Sequence, residues 1–260
     1  MNANPQTLTA DLNGKTAFIT GASGGLGAHF AAVLAGCGCK VALGARRQDA
    51  LKGIVNAIVD KGGSACHVQL DVTEVTSVRE ALAKARSLIG PIDVLINNSG
   101  ISRIGPSLQH TEQEWDVVID TNLKGAFLVS TEAARHMRAD RRGGSIINIG
   151  SVLGLRQAKN IASYAVSKAG LIQLTKSMAL ELAQDNIRVN ALSPGYFDTD
   201  INHAMWDTPS GAALIKRIPQ RRLGRLEDLD GAILLLASES SRFMTGSVIV
   251  VDGGHLVSTL

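Results

Sequence analysis

Aromatic residues are scarce, at 3% of the 260 positions. So few rings offer no base-stacking platform, and 26 basic against 23 acidic residues leave a net charge of only +3. The basic residues are scattered apart from short pairs such as Arg46-Arg47, Arg141-Arg142 and Arg221-Arg222. A nucleic-acid partner is therefore not expected. Long apolar runs are also missing, since none approaches the roughly 20 residues that span a bilayer. The start, Met1 to Asp11, lacks both the basic segment and the apolar core of a secretion signal. A cytoplasmic protein without a membrane partner is expected. Cysteine is sparse and odd in number (Cys37, Cys39 and Cys66), which argues against a disulfide framework and suits a reducing compartment. These three read as small core residues. The six histidines form no His-x-x-x-His pair, there is no Cys-x-x-Cys, and no metal site is expected.

What is present is alternation. Apolar residues make up 45% of the chain, an ordinary globular share, and 260 residues suffice for one large core. Seven short β-rich runs are Thr16–Thr20, Lys40–Leu43, Ala65–Leu70, Val94–Asn97, Ser145–Ile149, Arg188–Leu192 and Ser247–Val251. Most are continuously apolar, as strands covered on both faces are. Helical patterns lie between them at Leu26–Gly36, Gln48–Lys61, Val75–Ile89, Thr111–Met137, Ser163–Gln184 and Leu226–Ala237. This order predicts a doubly wound α/β fold with right-handed crossovers. One domain is expected over 1–260, with an N-terminal tail over 1–12 and a substrate loop or lid over about 194–220.

Directly after the first strand, Thr20-Gly21-Ala22-Ser23-Gly24-Gly25-Leu26-Gly27 leads into an apolar-faced helix. Backbone N–H groups at a helix start bind pyrophosphate when no Cβ blocks the approach, which explains the glycines. The same letters satisfy Gly-x-Ser-x-Gly, the nucleophile elbow of α/β-hydrolases, with His255 after Asp230 or Asp252 completing the order. Position argues against that reading, because the elbow needs an oxyanion donor from an earlier strand-helix loop.

Further along, Tyr164 and Lys168 stand four apart in a helical stretch, with Ser151 thirteen positions before the tyrosine. Residues four apart on a helix are neighbours, so the ammonium is expected to favour phenolate and tune Tyr164 for proton transfer near neutral pH. Taken alone, such a pair is usually a packed ring beside a solvated amine.

The loop Thr-Gly-x-x-x-Gly-x-Gly, the Asn97-Asn98-Ser99-Gly100 segment, Asn122, Ser151, Tyr164, Lys168 and Pro194-Gly195 occur in the order seen in short-chain dehydrogenases/reductases, which the chain resembles over nearly its whole length. The resemblance implies a Rossmann-type fold with a seven-stranded parallel sheet, a nicotinamide cofactor, a ketone or secondary-alcohol substrate and a homotetramer. It gives Gly21, Gly25 and Gly27 to the phosphate loop, with Leu26 between them and Ser23 as a phosphate donor. Asp71 and Val72 would meet adenine, Asn98 and Gly100 would line the ribose side, and Thr199, after Pro194-Gly195, would meet the carboxamide. Tyr164 would pass a proton to the substrate oxygen, Ser151 would hold that oxygen, Lys168 would serve tyrosine and ribose, and Asn122 would hold a proton-relaying water. Read without the family, Asp71 also serves as a turn cap and Asn98 as a partner for loop backbone.

NADP(H) is expected over NAD(H). NAD-selective domains place an acid about 20 residues after the glycine loop to accept the ribose 2′-hydroxyl. Here the sequence is Leu43-Gly44-Ala45-Arg46-Arg47, in which Arg46 suits a 2′-phosphate and Arg47 is its helper or a solvated bystander. The loop itself carries Gly24 where many NADP-using relatives carry a base. Around the expected pocket, Ile101, Leu153, Leu155, Met205 and Trp206 favour a hydrophobic ketone, whereas Arg103, Arg156 and His203 leave a carboxylate substrate open. A second functional class also stays open: a nicotinamide-binding regulatory protein without turnover.

Overall fold

In the computed structural model, which describes residues 10–199 and 206–258, seven strands form one parallel sheet in the order β3-β2-β1-β4-β5-β6-β7. They are β1 (Thr16–Thr20), β2 (Lys40–Ala45), β3 (Ser64–Gln69), β4 (Val94–Asn97), β5 (Gly144–Ile149), β6 (Ile187–Pro194) and β7 (Val248–Val251). Each lies within two residues of its expected run.

Alternation of side chains along the strands explains why apolar runs were needed. Ala17 and Ile19 of β1, with Val41, Leu43, Val94 and Ile96, face one core, which also takes Phe30 and Leu34 of α1 (Gly25–Gly36), Leu51 and Ile58 of α2 (Gln48–Val59), and Ile233 of α8 (Asp230–Ala237). Their neighbours Phe18, Ala42, Leu95 and Ile146 face the opposite core, with Leu82 of α3 (Val75–Ile89), Met137 of α5 (Gly125–Asp140) and Met178 of α6 (Ala162–Leu182). Strands buried on both faces are mostly apolar, and their few polar residues, Asn97 and Asn148 among them, are buried with them. Leu12, at the end of the expected tail, is fully buried and donates its N–H to the Cys37 carbonyl.

Three departures from the expected elements matter for the site. The single helix expected over Thr111–Met137 is two: α4 (Glu112–Ile119), opened by a Thr111/Glu114 capping box, and α5, separated by a π-helical turn at Asp120–Lys124. The segment expected to be irregular from Pro194 to Gln220 contains α7 (Pro209–Ile215), capped by Thr208 with proline in its first turn. The last expected helix begins as a 3-10 turn at Leu226–Leu229 before α8. Met205 and His203 lie outside the described residues. Of the cysteines only Cys39 is fully in the core, where burial pushes its thiol up to about 12; Cys37 and Cys66 are half-buried. Among the described residues no helix is long and apolar enough to cross a membrane.

Strand order reverses direction at β1, which pairs with β2 on one side and β4 on the other. The two crossovers leave in opposite directions, opening a crevice beyond the carboxyl ends of these strands. Thr20, Asn97 and Ile149, the last residues of β1, β4 and β5, all point the chain into it.

Candidate active site

The glycine loop fills the crevice from the β1 side. Gly21 and Gly25 adopt φ of +62° and +52°, a region L side chains rarely enter. A Cβ on Gly21 would stand 2.8 Å from the Ser99 Cα, and one on Gly27 only 2.5 Å from the Asn98 Nδ2. Asn98 causes this tightness. Its side-chain amide donates to the Thr20 carbonyl at 3.1 Å and the Gly21 carbonyl at 3.0 Å, while the backbone N–H groups of Asn98 and Ser99 both donate to Thr20 Oγ1 at 3.0 Å. So Asn98, expected at the ribose, here braces the glycine turn itself. The N-terminus of α1 opens from Gly24 without a side-chain cap, and a Cβ on Gly25 would meet nothing within 4 Å. Such a helix start fits the pyrophosphate of a dinucleotide.

Arg47, expected as helper, reaches back over the loop, with Nη2 3.0 Å from Ser23 Oγ and 3.4 Å from the Ser23 carbonyl. It passes within 3.8 Å of where a Gly24 side chain would begin. A cation beside Gly24 is thus supplied from the turn between β2 and α2. Arg46 is exposed, and its field helps hold the Asp71 carboxyl below its ordinary value, along with hydrogen bonds from Thr73 and against burial, the largest influence. Asp71 Oδ1 accepts the N–H and hydroxyl of Thr73 at 3.0 and 2.7 Å, so the turn-capping role is realised. Val72 is buried, pressed against the start of α5 where a Cβ on Gly125 would come within 2.8 Å of its Cγ2.

From the far side come Ser151, Tyr164 and Lys168. The Ser151 hydroxyl accepts the Leu153 N–H at 3.1 Å and hydrogen-bonds the Tyr164 phenol. Lys168 is buried, with Nζ 5.7 Å from the centre of the Tyr164 ring and donating to the Ile149 carbonyl at 2.6 Å. Burial pushes the lysine down to about 8. The expected depression of the tyrosine is not found: burial raises the Tyr164 phenol, the Ser151 hydrogen bond opposes this, and the phenol of Tyr196 raises it further. Desolvation disfavours the charged form of both and is the largest influence on each.

Asn122 lies in the π-helical turn and is fully buried. Its Oδ1 accepts the Ile101 N–H at 2.8 Å, and its Nδ2 donates to the Ile101 carbonyl at 2.9 Å and to Ser167 Oγ at 3.0 Å. Both amide hydrogens are used, so the side chain is a latch on Ile101 rather than a donor to water. Gly100 sits where a Cβ would come 3.5 Å from both Lys168 Nζ and Asn122 Oδ1. Pro194 ends β6, and Gly195 is forced by the crossing of Asp252, whose Cα would stand 2.7 Å from a Cβ there. Thr199 is half-buried beyond this turn.

A family profile described as enoyl-(acyl carrier protein) reductase matches residues 21–255, from the glycine loop to the C-terminal turn. A crystal structure of a short-chain type dehydrogenase/reductase from Mycobacterium marinum superposes with a TM-score of 0.91 at 41% identity, covering 95% of this chain and 97% of that one. The chain belongs to the short-chain dehydrogenase/reductase family. It is also 38% identical over 246 residues to the 3-oxoacyl-(acyl-carrier-protein) reductase of Thermotoga maritima, covering 95% of this chain and 99% of that protein. A gluconate 5-dehydrogenase from Burkholderia cenocepacia, solved in complex with NADP and tartrate, matches at 36% identity and a TM-score of 0.92, with 96% and 98% covered. These relatives are oxidoreductases and do not support a turnover-free regulatory role. The hydrolase elbow falls as well: Ser23 Oγ is held by Arg47.

Two participants in this dehydrogenase/reductase site were not singled out from sequence. Ser167, between Tyr164 and Lys168, receives Asn122 and donates to the Tyr164 carbonyl at 2.7 Å. Tyr196 stacks edge-on with Trp206 and His255 and acts electrostatically on Tyr164. A cavity of about 700 Å³ between the ends of α1 and α2 contains none of these residues.

Proposed function

We propose that this protein interconverts a ketone and a secondary alcohol using NADP(H), with Tyr164 as the proton-transferring group. The observation that carries the reading is the convergence of Ser151, Tyr164 and buried Lys168 on one side of a crevice whose other side is an open glycine-rich helix start. When bound, NADPH supplies the hydride. Tyr164, its phenol raised by burial, keeps its proton at neutral pH and donates it to the substrate oxygen in the reducing direction. Ser151 shares that oxygen and stabilises the alkoxide as it develops. Lys168 stays charged below about 8 and provides the positive field against which the tyrosine proton is replaced.

Gly21, Ser23, Gly25, Leu26 and Gly27 form the pyrophosphate cradle in this reading, with Arg47 and Arg46 flanking the 2′-phosphate. Asp71 and Val72 take the adenine end, Asn98, Gly100, Tyr164 and Lys168 the riboses, and Pro194, Gly195 and Thr199 the carboxamide. For the water, the backbone carbonyl of Asn122 replaces its side chain, because a π turn leaves one carbonyl outside the regular i→i−4 ladder. Apolar side chains exposed on α4, α5 and α6, namely Trp115, Val117, Phe127 and Val166, support a homotetramer.

The substrate is a hydrophobic ketone. Ile101, Leu153 and Leu155 stand at the apolar pocket positions that the family resemblance implies, and the Tyr196–Trp206 ring pair adds to that set. Arg156 instead donates to the His255 carbonyl and, at 3.2 Å, to Ser258 Oγ, tying the C-terminal turn down. Arg103 is exposed and bonds the neighbouring Ser102 carbonyl at 3.2 Å. NADPH oxidation measured over a panel of apolar ketones, 3-keto esters and keto acids tests this. A kcat/KM at least tenfold higher for ketones and esters is expected; a preference for keto acids that is lost in Arg156→Ala would transfer the reading to acidic substrates.

A further inference from the structure

Between β4, β5, α5 and α6 lies a chain of polar side chains that the chemistry above does not use. Asn97 and Asn148 stand opposite each other in the β4–β5 register, and Asn97 Nδ2 donates to Asn148 Oδ1 at 2.8 Å and to Ser130 Oγ of α5 at 2.7 Å. Asn148 Nδ2 in turn donates to Thr175 Oγ1 of α6 at 2.9 Å, and Thr175 donates to the Leu171 carbonyl one turn back at 2.8 Å. Asn148, Ser130 and Thr175 have no exposed surface, and Asn97 has 4%. Buried amides in a strand core cost stability unless they are satisfied, yet Asn97 Oδ1 has no partner here. An apolar pair would pack the same space without that cost, so stability alone is a poor reason for this chain.

Position supplies a better reason. Asn148 immediately precedes Ile149, whose carbonyl accepts Lys168 Nζ at 2.6 Å. Strand β5 therefore grips α6 at two points, Lys168 and Thr175, which are seven residues or about 10.5 Å apart along one helical face. One contact would leave the helix free to slide or turn about it. Two fix its axial height and rotation against the strand that carries Ser151 two residues beyond Ile149.

We propose that Asn148 and Thr175 are positioning residues: with the Lys168–Ile149 contact they form a bracket that sets Tyr164 and Lys168 in register with Ser151. The proposal rests on the catalytic reading of these three residues. Asn97, extending the bracket to β4, places it in line with Asn98, which braces the glycine loop, so both walls of the crevice share one buried scaffold.

Thr175→Val keeps volume but removes the acceptor. With the helix loosened, Lys168 loses part of its bond to the Ile149 carbonyl, which favours its charged form, so its proton leaves at lower pH. We expect kcat to fall about tenfold in Thr175→Val, KM and NADPH affinity to stay within twofold, and the alkaline limb of the kcat profile for reduction to move to lower pH. Thr175→Ser should restore both kcat and the alkaline limb, while Ser130→Ala, which trims only the α5 arm, should lower the melting temperature and leave kcat and the profile unchanged. Thr175→Cys, a weaker acceptor of similar size, gives the same readout should Thr175→Val not fold. A Thr175 variant that melts earlier but keeps kcat and pH profile would overturn the bracket and leave only a structural contact. Failure of the underlying catalytic reading would look different: Tyr164→Phe would then retain turnover whatever Thr175 does.

Discussion

Arg47 and Lys168 are the residues whose surroundings most changed the reading of their chemistry. Arg47 lies over the loop through its contacts with Ser23, and Arg46 stands beside Asp71, so a 2′-phosphate bound here would face two cations. A charge-assisted hydrogen bond contributes about 1.5–3 kcal/mol, or roughly tenfold and more in affinity. Arg47→Ala should therefore weaken NADPH about tenfold and leave NADH nearly unchanged, with the double change Arg46→Ala/Arg47→Ala erasing the preference; titration by fluorescence measures both, and an unaltered NADPH/NADH ratio in the double variant would reject NADP selectivity by these arginines. For Lys168 the sign follows from burial. Its folded value of about 8 lies below the ordinary value near 10.4, so between those two pH values the unfolded chain holds more protons and stability rises with pH. Melting curves of the cofactor-free protein should show wild type gaining on Lys168→Met from pH 8 to 10; parallel curves would mean that the lysine is not desolvated. Spacing in the sequence displayed the Tyr164/Lys168 neighbourhood but not the balance between attraction and desolvation, which depends on what the fold buries around them.

At the scale of elements, the strands were legible because double-sided burial makes them mostly apolar, and all seven runs reappear in the sheet. The π turn was not. Helical periodicity persists through one extra residue per turn, and here that residue accompanies tertiary bonds from Asn122 to Ile101 and Ser167 that no local pattern encodes. The short helix α7 was obscured because Pro209 and Gly211 lie within it, although proline at a helix start is favourable. The glycine loop was legible in letters, but its cause is a neighbour from β4: Asn98. Gly27→Ala drives a Cβ to 2.5 Å from that amide and 2.7 Å from the Gly21 carbonyl. Overpacking of this kind costs about 1–3 kcal/mol. Calorimetry should find a lower melting temperature together with loss of NADPH binding; an unperturbed loop would show that the Asn98 brace yields easily.

For the whole molecule, order along the chain and order in the sheet differ in one place, between β1 and β4, and the candidate chemistry collects there. That juxtaposition was implied by the family resemblance and is explained by crossover handedness and strand order, not by any single motif. Apolar faces on α4, α5 and α6 extend the argument beyond one chain. Light scattering is expected to return a mass four times that of the 27.3 kDa chain, and a monomer would remove the homotetramer from the account. The claim on which the rest depends is that Tyr164 moves the proton. Its most direct measurement compares single-turnover ketone reduction by wild type and Tyr164→Phe with NADPH binding recorded on the same samples. The account predicts a fall in rate of roughly 10²–10⁴-fold with NADPH affinity within about twofold. A phenylalanine variant that binds NADPH and reduces the ketone at near wild-type rate would contradict it.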